Sequence, residues 1–453
     1  MAMKRQHGQE QPYIPLGIFK FRLPFIHYRW EWSECLQAIL MCATCLGAIP
    51  ILETVLGIPY DVAWSMVIIN GFFYCIHAFF GDPVVPGWIT PAIPLVIAFL
   101  ETSPIGVERT QTMIALQLVV GMIFLFMGLT GLAQRVIDFV PRSIKAGILL
   151  GAGFSAIMGE FGPTGRFNLY PKTITIGALI AYFLIFSERF KRMKKSSKIW
   201  NAIGNFGMLP AIIIAVIIGP LSKELPAPQL VVGSIIKIPE IGRIIELVTP
   251  FGPTGFPNVA KFISVIPTAF MVYIIAFGDF VSSDALIGEA RKVRTDEKID
   301  FNANRSNLLS GIRNIIQAFI SPYVNLCGPL WAAVTASIAE RYKQGRESMD
   351  SIFSGVGTFR CMTFICVALV PVASFVRPTL PAALSLTMLV QGYVCGRIAM
   401  DEAQTPMDKG VSTAMAAVLA MKGASWGLAA GIILHLICSD SSKYTNELDN
   451  KEI

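Results

Sequence analysis

Charge is scarce in this chain. Asp, Glu, Lys and Arg make up 15% of its 453 residues, against roughly 25% in a soluble domain, so the chain cannot cover a water-facing surface in the usual way. Histidine is scarcer still: His7, His27, His77 and His435 are scattered along the sequence. Cys42 and Cys45 have redox or metal spacing, but without clustered histidines the packing reading is the better one, with no zinc site and no disulfide framework. No HExxH pattern, glycine-rich phosphate loop or nucleotide-binding domain occurs, which argues against an ATP-driven pump. No nucleophile stands with a base, so a membrane-embedded enzyme is disfavoured too. The first 32 residues carry five basic side chains but no clean apolar core with a cleavage site, so they are not a signal peptide.

What the chain has instead is apolar sequence. Hydrophobic residues make up 54%, and the mean hydropathy is +0.59. Twelve runs of roughly membrane length follow one another, and two further segments, 82–101 and 322–339, are short and broken by Pro and Gly. The net charge of +7 does not point to nucleic acid, because the basic residues sit in short loops between the runs. With the N-terminus inside, 25 of the 37 Lys and Arg fall in inner segments and 9 in outer ones. This positive-inside bias holds only if both broken segments cross. The reading is an all-α polytopic membrane protein with fourteen crossings, both termini cytoplasmic. Its parts are a cytoplasmic segment 1–32 lying on the membrane surface, a first set of seven at 33–221, and an extracytoplasmic loop 222–259. A second set of seven at 260–439 and a polar tail 440–453 complete it. A repeated Phe-Gly-Pro-Thr-Gly, at 161–165 and 251–255, reads as a pair of turns at helix ends and not as an outer gate.

The two broken segments share a design. In "GDPVVPGWITPAIPLVIAFLE", Pro83 and Pro86 forbid a helix, Val84 and Val85 favour extension, and Thr90-Pro91 supplies an N-cap and first helical position. In "SPYVNLCGPLWAAVTASIAER", an extended Tyr323–Leu326 precedes Gly328-Pro329, where a second half-helix opens. Irregular backbone at membrane depth survives only where protein or a water-filled cavity surrounds it, and paired broken helices point to a transporter's substrate site. Half-helix N-termini present free N–H groups and partial positive charge, suited to an anion or a polar carbonyl. Trp88 and Trp331 stand close to the two starts, either to stack on a planar substrate or to fill space.

In the segment Ile274–Arg294, Asp279 and Asp284 interrupt apolar sequence. Five positions apart, they lie about 140° apart around a helix and do not share a face. Asp279 and Ser283, four apart, do, with Ser282 beside them. The pair suits a dehydrated Na⁺ completed by carbonyls near Leu326–Gly328, or Asp279 alone carries a proton. Asp284 lies nearer the basic end, with Arg291 and Arg294 within reach for an ion pair. Arg313, Arg360 and Arg397 lie inside spans, where they neutralise an anionic substrate, pair with carboxylates (Arg397 with Asp401) or snorkel. Gln37, Gln317 and Gln391 read as glue between helices, and Glu53 and Glu160 as solvated outer helix ends.

Seven plus seven segments with a broken third and tenth resemble the nucleobase–ascorbate (uracil/xanthine permease) family and the related sulfate permease family. The first run, "LQAILMCATCLGAIPIL", resembles the nucleobase family's Leu-Gln-His opening with Ala38 in place of histidine. Asp279 falls where these families often carry a binding carboxylate. Pro329 fits the first slot of the nucleobase motif in the tenth segment, whereas Leu330 and Ala332 depart from it. The resemblance implies two inverted repeats, a core of segments one to four and eight to eleven, a gate of the rest, and a homodimer. Together these readings give a secondary active transporter in a plasma membrane, such as a bacterial inner membrane. It would move a small anion or planar polar solute by alternating access, coupled to H⁺ or Na⁺ and with no cofactor. The substrate site would draw on Trp88, Thr90, Asp279, Gly328, Pro329 and Trp331, and the coupling site on Asp279 and Ser283. A channel-like anion conductor of the same fold is the alternative.

Overall fold

The computed structural model describes residues 3, 5–163, 165–204, 208–231 and 233–439. Helix stands at every apolar run of the sequence. Six described stretches are long and apolar enough to cross a membrane unaided, among them Trp32–Leu56, Tyr60–Phe79, Val107–Leu129 and the 35-residue Val259–Val293. Shorter apolar helices include Leu209–Leu221 and Ile352–Ala368, and Pro171–Phe186 bends by 64° into Glu188–Ser196.

The helices pack in two groups. Val107–Leu129 lies against Ala303–Ile320 and Val259–Val293, while Ile352–Ala368 lies against Trp32–Leu46 and Tyr60–Phe79. In the other group Arg142–Phe161 packs on Leu380–Glu402 and Pro406–Lys422, Ala424–Cys438 on Pro406–Lys422, and Pro171–Phe186 on Leu209–Leu221. Asn307, Ser310, Asn314 and Gln317 make a polar stripe along Ala303–Ile320, and all four are fully buried. That helix therefore turns its polar side inward, as membrane helices do when polar groups have partners there.

The partners are the broken segments. After Asp82 the chain runs extended through Gly87–Trp88, makes a 3₁₀ turn at Thr90–Ala92 and enters the helix Ile93–Leu100. The later segment is extended at Cys327–Gly328 and helical at Ala332–Tyr342. The two extended pieces pair antiparallel, Gly87 opposite Gly328 and Trp88 opposite Cys327. Ile89 N donates to the Leu326 carbonyl (3.0 Å) and Trp331 N to that of Val85 (2.5 Å), while Val85 N donates to Thr335 Oγ1 (3.0 Å). Asn314 brackets Cys327, accepting from its N–H (3.0 Å) and donating to its carbonyl (3.1 Å). Gln117 accepts from Tyr323 N (2.9 Å), and Gln317 donates to Asn70 (3.0 Å). Asn314 of the stripe and Gln117 of Val107–Leu129 thus satisfy backbone that has no water to bond.

Both half-helices begin later than the sequence suggests. Thr90 does not cap: Ile89 is the N-cap of the 3₁₀ turn, and Thr90 Oγ1 donates to the Trp88 carbonyl (3.4 Å). The second helix starts at Ala332, three residues past Pro329, because the Trp331–Val85 bond holds Trp331 in the extended strand region.

The N-terminal segment folds against the loop that precedes Ala303–Ile320. It forms a hairpin, Ile14–Leu16 with Phe19–Phe21, and buries Arg5 and Arg22. Arg5 pairs with Asp296 (2.9 Å), Lys20 with Glu10 and Asp300 (2.6 Å each), and Arg22 with Glu10 (2.7 Å). Burial pushes the Asp300 carboxyl up, but hydrogen bonds and charge from Lys20 and Arg305 outweigh it and bring it down to about 2. The Arg294 hydrogen bond, with Arg5 behind it, holds Asp296 well below the usual carboxylate range.

In the loop 222–259, the helix Ile241–Val248 follows a stretch whose Leu230, Val231, Ile235, Ile236 and Ile238 are exposed. The repeated turns do stand at helix ends, with Asn168 Nδ2 donating to the Gly162 carbonyl (2.8 Å) and Asn258 capping Lys261 N (2.9 Å). Thr164 and the tail 440–453 lie outside the described residues.

A Cβ on Gly87 would lie 2.7 Å from the Leu330 carbonyl oxygen, an immovable backbone atom, whereas one on Gly159 would meet nothing within 4 Å. Gly87→Ala is expected to destabilise by about 1–3 kcal/mol and to lower the thermal midpoint, with Gly159→Ala unchanged. The low values of Asp296 and Asp300 mean that their ion pairs stabilise the fold at any pH above the ordinary aspartate value. That contribution is lost as pH falls from about 4 through about 2. Urea unfolding followed down this range should lose stability in wild type, with a smaller loss in Asp300→Asn.

Candidate substrate site

A cavity of about 1270 Å³ opens between the two helix groups. The long helix Val259–Val293 contributes Tyr273, Gly278, Asp279 and Ser282, and Arg142–Phe161 contributes Ile148, Ser155, Gly159 and Glu160. Thr90 of the first broken segment, Gln391 and Met415 complete the part that matters here. The long helix carries Asp279 here because residues 278, 279 and 282 share the face it turns away from Val107–Leu129.

Of the residues expected to form the substrate and coupling sites, Asp279 and Thr90 line this cavity and the others do not. Asp279 Oδ2 is shielded and has no hydrogen-bond partner among the described residues. The hydroxyl that lines the cavity with it belongs to Ser282. Ser283 is fully buried and its Oγ donates to the Asp279 carbonyl (2.7 Å), while Ser282 Oγ donates to that of Gly278 (2.8 Å). The Leu326 and Cys327 carbonyls, expected as further cation ligands, already accept from Ile89 and Asn314. Gly328 and Pro329 are buried in the crossing. Trp331 packs edge-on against Phe359 (5.8 Å), under the Arg360 guanidinium (5.1 Å from the ring). Neither it nor Trp88 lines the cavity.

Behind the crossing lies an excess of positive charge. Arg313 and Arg360 are fully buried, and none of their six guanidinium nitrogens has an acceptor among the described residues. Both stack on the ring of Tyr74, at 4.6 and 4.1 Å from its centre. The carboxylate in this region, Asp82, is engaged elsewhere: it accepts from Ser306 Oγ (2.5 Å), bonds His77 Nδ1 (2.7 Å) and faces Arg305 (3.8 Å). Two unpaired guanidinium groups at membrane depth are costly. Their field favours an anion arriving nearby.

Other charges settle differently from the sequence reading. Glu160 is not solvated: it is 2% exposed, pairs with Arg166, which lines the cavity with it, and accepts from Ser385. Arg397 pairs with Glu289 (3.0 Å) and Glu340 (3.5 Å) and not with Asp401. Arg294 is taken by Asp296, and among the described residues Asp284 pairs with neither it nor Arg291. Sequence reasoning missed the Glu160–Arg166–Ser385 group, which spans 225 residues of chain, and the polar stripe of Ala303–Ile320, whose spacing of three and four was legible.

No protein-family model matches the chain, and no curated protein sequence does. Solved structures do. The transmembrane domain of BicA, a cyanobacterium bicarbonate transporter, is similar over 88% of this chain and 97% of its own, at 14% identity and a TM-score of 0.49. SLC26A9 is similar over 90% of this chain and 66% of its own, at 13% identity and a TM-score of 0.51. Murine solute carrier 26 family member A9, an anion transporter in the inward-facing state, matches over 90% and 67%, at 13% and 0.53. The chain thus spans about two thirds of the length of these SLC26A9 chains. At such identities the likeness is one of fold, and it falls on the sulfate permease side of the resemblance.

Replacing Arg360 with an apolar side chain of similar length removes a charge that has no carboxylate partner among the described residues. Arg360→Met is expected to leave the ligand-free thermal midpoint unchanged or to raise stability by up to about 1–4 kcal/mol. A midpoint lowered by much more than about 2 kcal/mol, the cost of lost stacking on Tyr74 and Trp331, would reveal an ion pair.

Proposed function

We propose that the chain is a secondary active transporter of small anions, working by alternating access across fourteen crossings in two inverted sets of seven. The observation that carries this is the antiparallel meeting of the two broken segments, with a half-helix leading away from each and two unpaired arginines behind them. Such a crossing concentrates positive potential from helix ends and guanidinium groups in one place. The fold likeness to a murine anion transporter supports the same class. A planar nucleobase is less well served, because Trp331 is occupied by Phe359 and Arg360.

In this reading the group built on the crossing moves as a core against the group of Arg142–Phe161, Pro171–Phe186, Leu209–Leu221 and the last three spans, which forms the gate. Asp279, with an unpartnered oxygen facing the space between them, carries the coupling H⁺ or Na⁺. Ser282 lines the same space, while Ser283 steadies the helix. Glu160 and Arg166 line it as a pair. The protein sits in a plasma membrane with both termini cytoplasmic and pairs as a homodimer through the gate.

The test is uptake into vesicles holding the purified protein, with chloride, bicarbonate and sulfate as substrates and uracil as a neutral control. Saturable uptake of at least one anion, competed by the unlabelled ion, is expected, with uracil at background. Asp279→Asn should reduce gradient-driven accumulation to background while Ser283→Ala retains it. Flux that rises linearly without competition would make the protein a conductor, and uptake of uracil alone would sink the anion reading.

A further inference from the structure

Where Pro171–Phe186 bends by 64°, the following helix Glu188–Ser196 carries Arg189, Lys191, Arg192, Lys194 and Lys195. It is moored by Phe190, fully buried against Phe183 (5.4 Å) and Trp200 (6.2 Å). Lys191, Lys194 and Lys195 stand at i, i+3 and i+4 and share one face. That face lines a second cavity, of about 480 Å³, distinct from the one holding Asp279. Its far wall is the end of the half-helix Ala332–Tyr342, with Glu340, Arg341 and Lys343, and Leu184 and Ile185 give it an apolar edge.

The charges do not balance. Five cations line this cavity against two carboxylates, Glu34 and Glu340. Both carboxylates are occupied: Glu34 pairs with Arg341, and Glu340 with Lys343 (3.1 Å). Lys191 is held by Glu188 (2.7 Å). Lys194 and Lys195 form no ion pair among the described residues, so the cavity presents at least two cations to whatever enters. A concave site with an apolar edge and surplus lysines fits an anionic headgroup whose acyl chains remain in the bilayer.

We propose that this cavity binds the phosphate of an anionic lipid headgroup through Lys194 and Lys195, bridging the Glu188–Ser196 helix to the end of the Ala332–Tyr342 half-helix. The two walls belong to different helix groups. A bound headgroup therefore ties the groups together at this end and favours the state in which they are close. That consequence rests on the alternating-access reading; the binding does not.

The experiment uses the full chain in neutral detergent and follows the thermal midpoint against short-chain phosphatidic acid, short-chain phosphatidylcholine and inorganic phosphate. Phosphatidic acid should give a saturable upward shift and phosphatidylcholine none. The Lys194→Gln/Lys195→Gln variant should bind roughly 30-fold more weakly, and Lys194→Arg/Lys195→Arg should restore binding. An equal response to inorganic phosphate would support the phosphate site and identify free phosphate as its source. No saturable shift with either phosphate probe, or one of the same affinity in the glutamine variant, overturns the proposal. If the glutamine variant fails to fold, the arginine variant decides, since loss of the shift in that folded, charge-retaining protein also overturns it. No step reads transport, so a failure here leaves the anion-transport reading standing, and failed uptake leaves this one.

Discussion

Two residues of strand on each side hold this molecule's centre together. Gly87–Trp88 and Cys327–Gly328 pair 240 residues apart in sequence, at a depth where an unpaired amide has no water to turn to. Each piece is too short to be stable alone, and each is followed by a helix whose first turn leaves amides open. The rest of the surrounding group can be read as support for that pairing. Asn314 brackets Cys327, Gln117 holds Tyr323, and Thr335 takes the Val85 amide. The constraint is steric as well, since only glycine leaves room at position 87 beside the Leu330 carbonyl.

Charge is distributed around this centre with the same economy. On the loop side, nearly every buried arginine has a carboxylate: Arg5 with Asp296, Arg22 with Glu10, Arg305 with Asp300. Arg5–Asp296, together with Lys20–Asp300, fastens the N-terminal segment to the loop that precedes Ala303–Ile320. Behind the crossing the pattern is broken: Arg313 has the face of Tyr74, and Arg360 those of Tyr74, Trp331 and Phe359, with no carboxylate partner among the described residues. In the proposed function, these two charges serve an anion at the neighbouring half-helix starts.

The space between the helix groups carries the opposite logic. It is largely apolar, with a carboxylate, Asp279, on one wall and the Glu160–Arg166 pair also lining it. The cross-group ion pairs of Arg397 with Glu289 and Glu340 lie close to the basic second cavity, since Glu340 belongs to both.

The sequence alone determined the membrane setting, the helix positions and the two breaks, because each is written in local composition: apolar runs, prolines, glycines and the side on which lysine and arginine collect. It also singled out Asp279, since a carboxylate in an apolar run stands out by cost. Only the tertiary structure decided where the half-helices begin, because the Ile89–Leu326 and Trp331–Val85 bonds join residues 237 and 246 apart and override the Thr90 and Pro329 signals. It likewise exchanged Ser283 for Ser282 at the cavity, gave Glu160 a partner from a distant helix and denied one to Arg313 and Arg360. Which side chain meets which is a property of helix rotation and packing between segments, and local periodicity does not encode it.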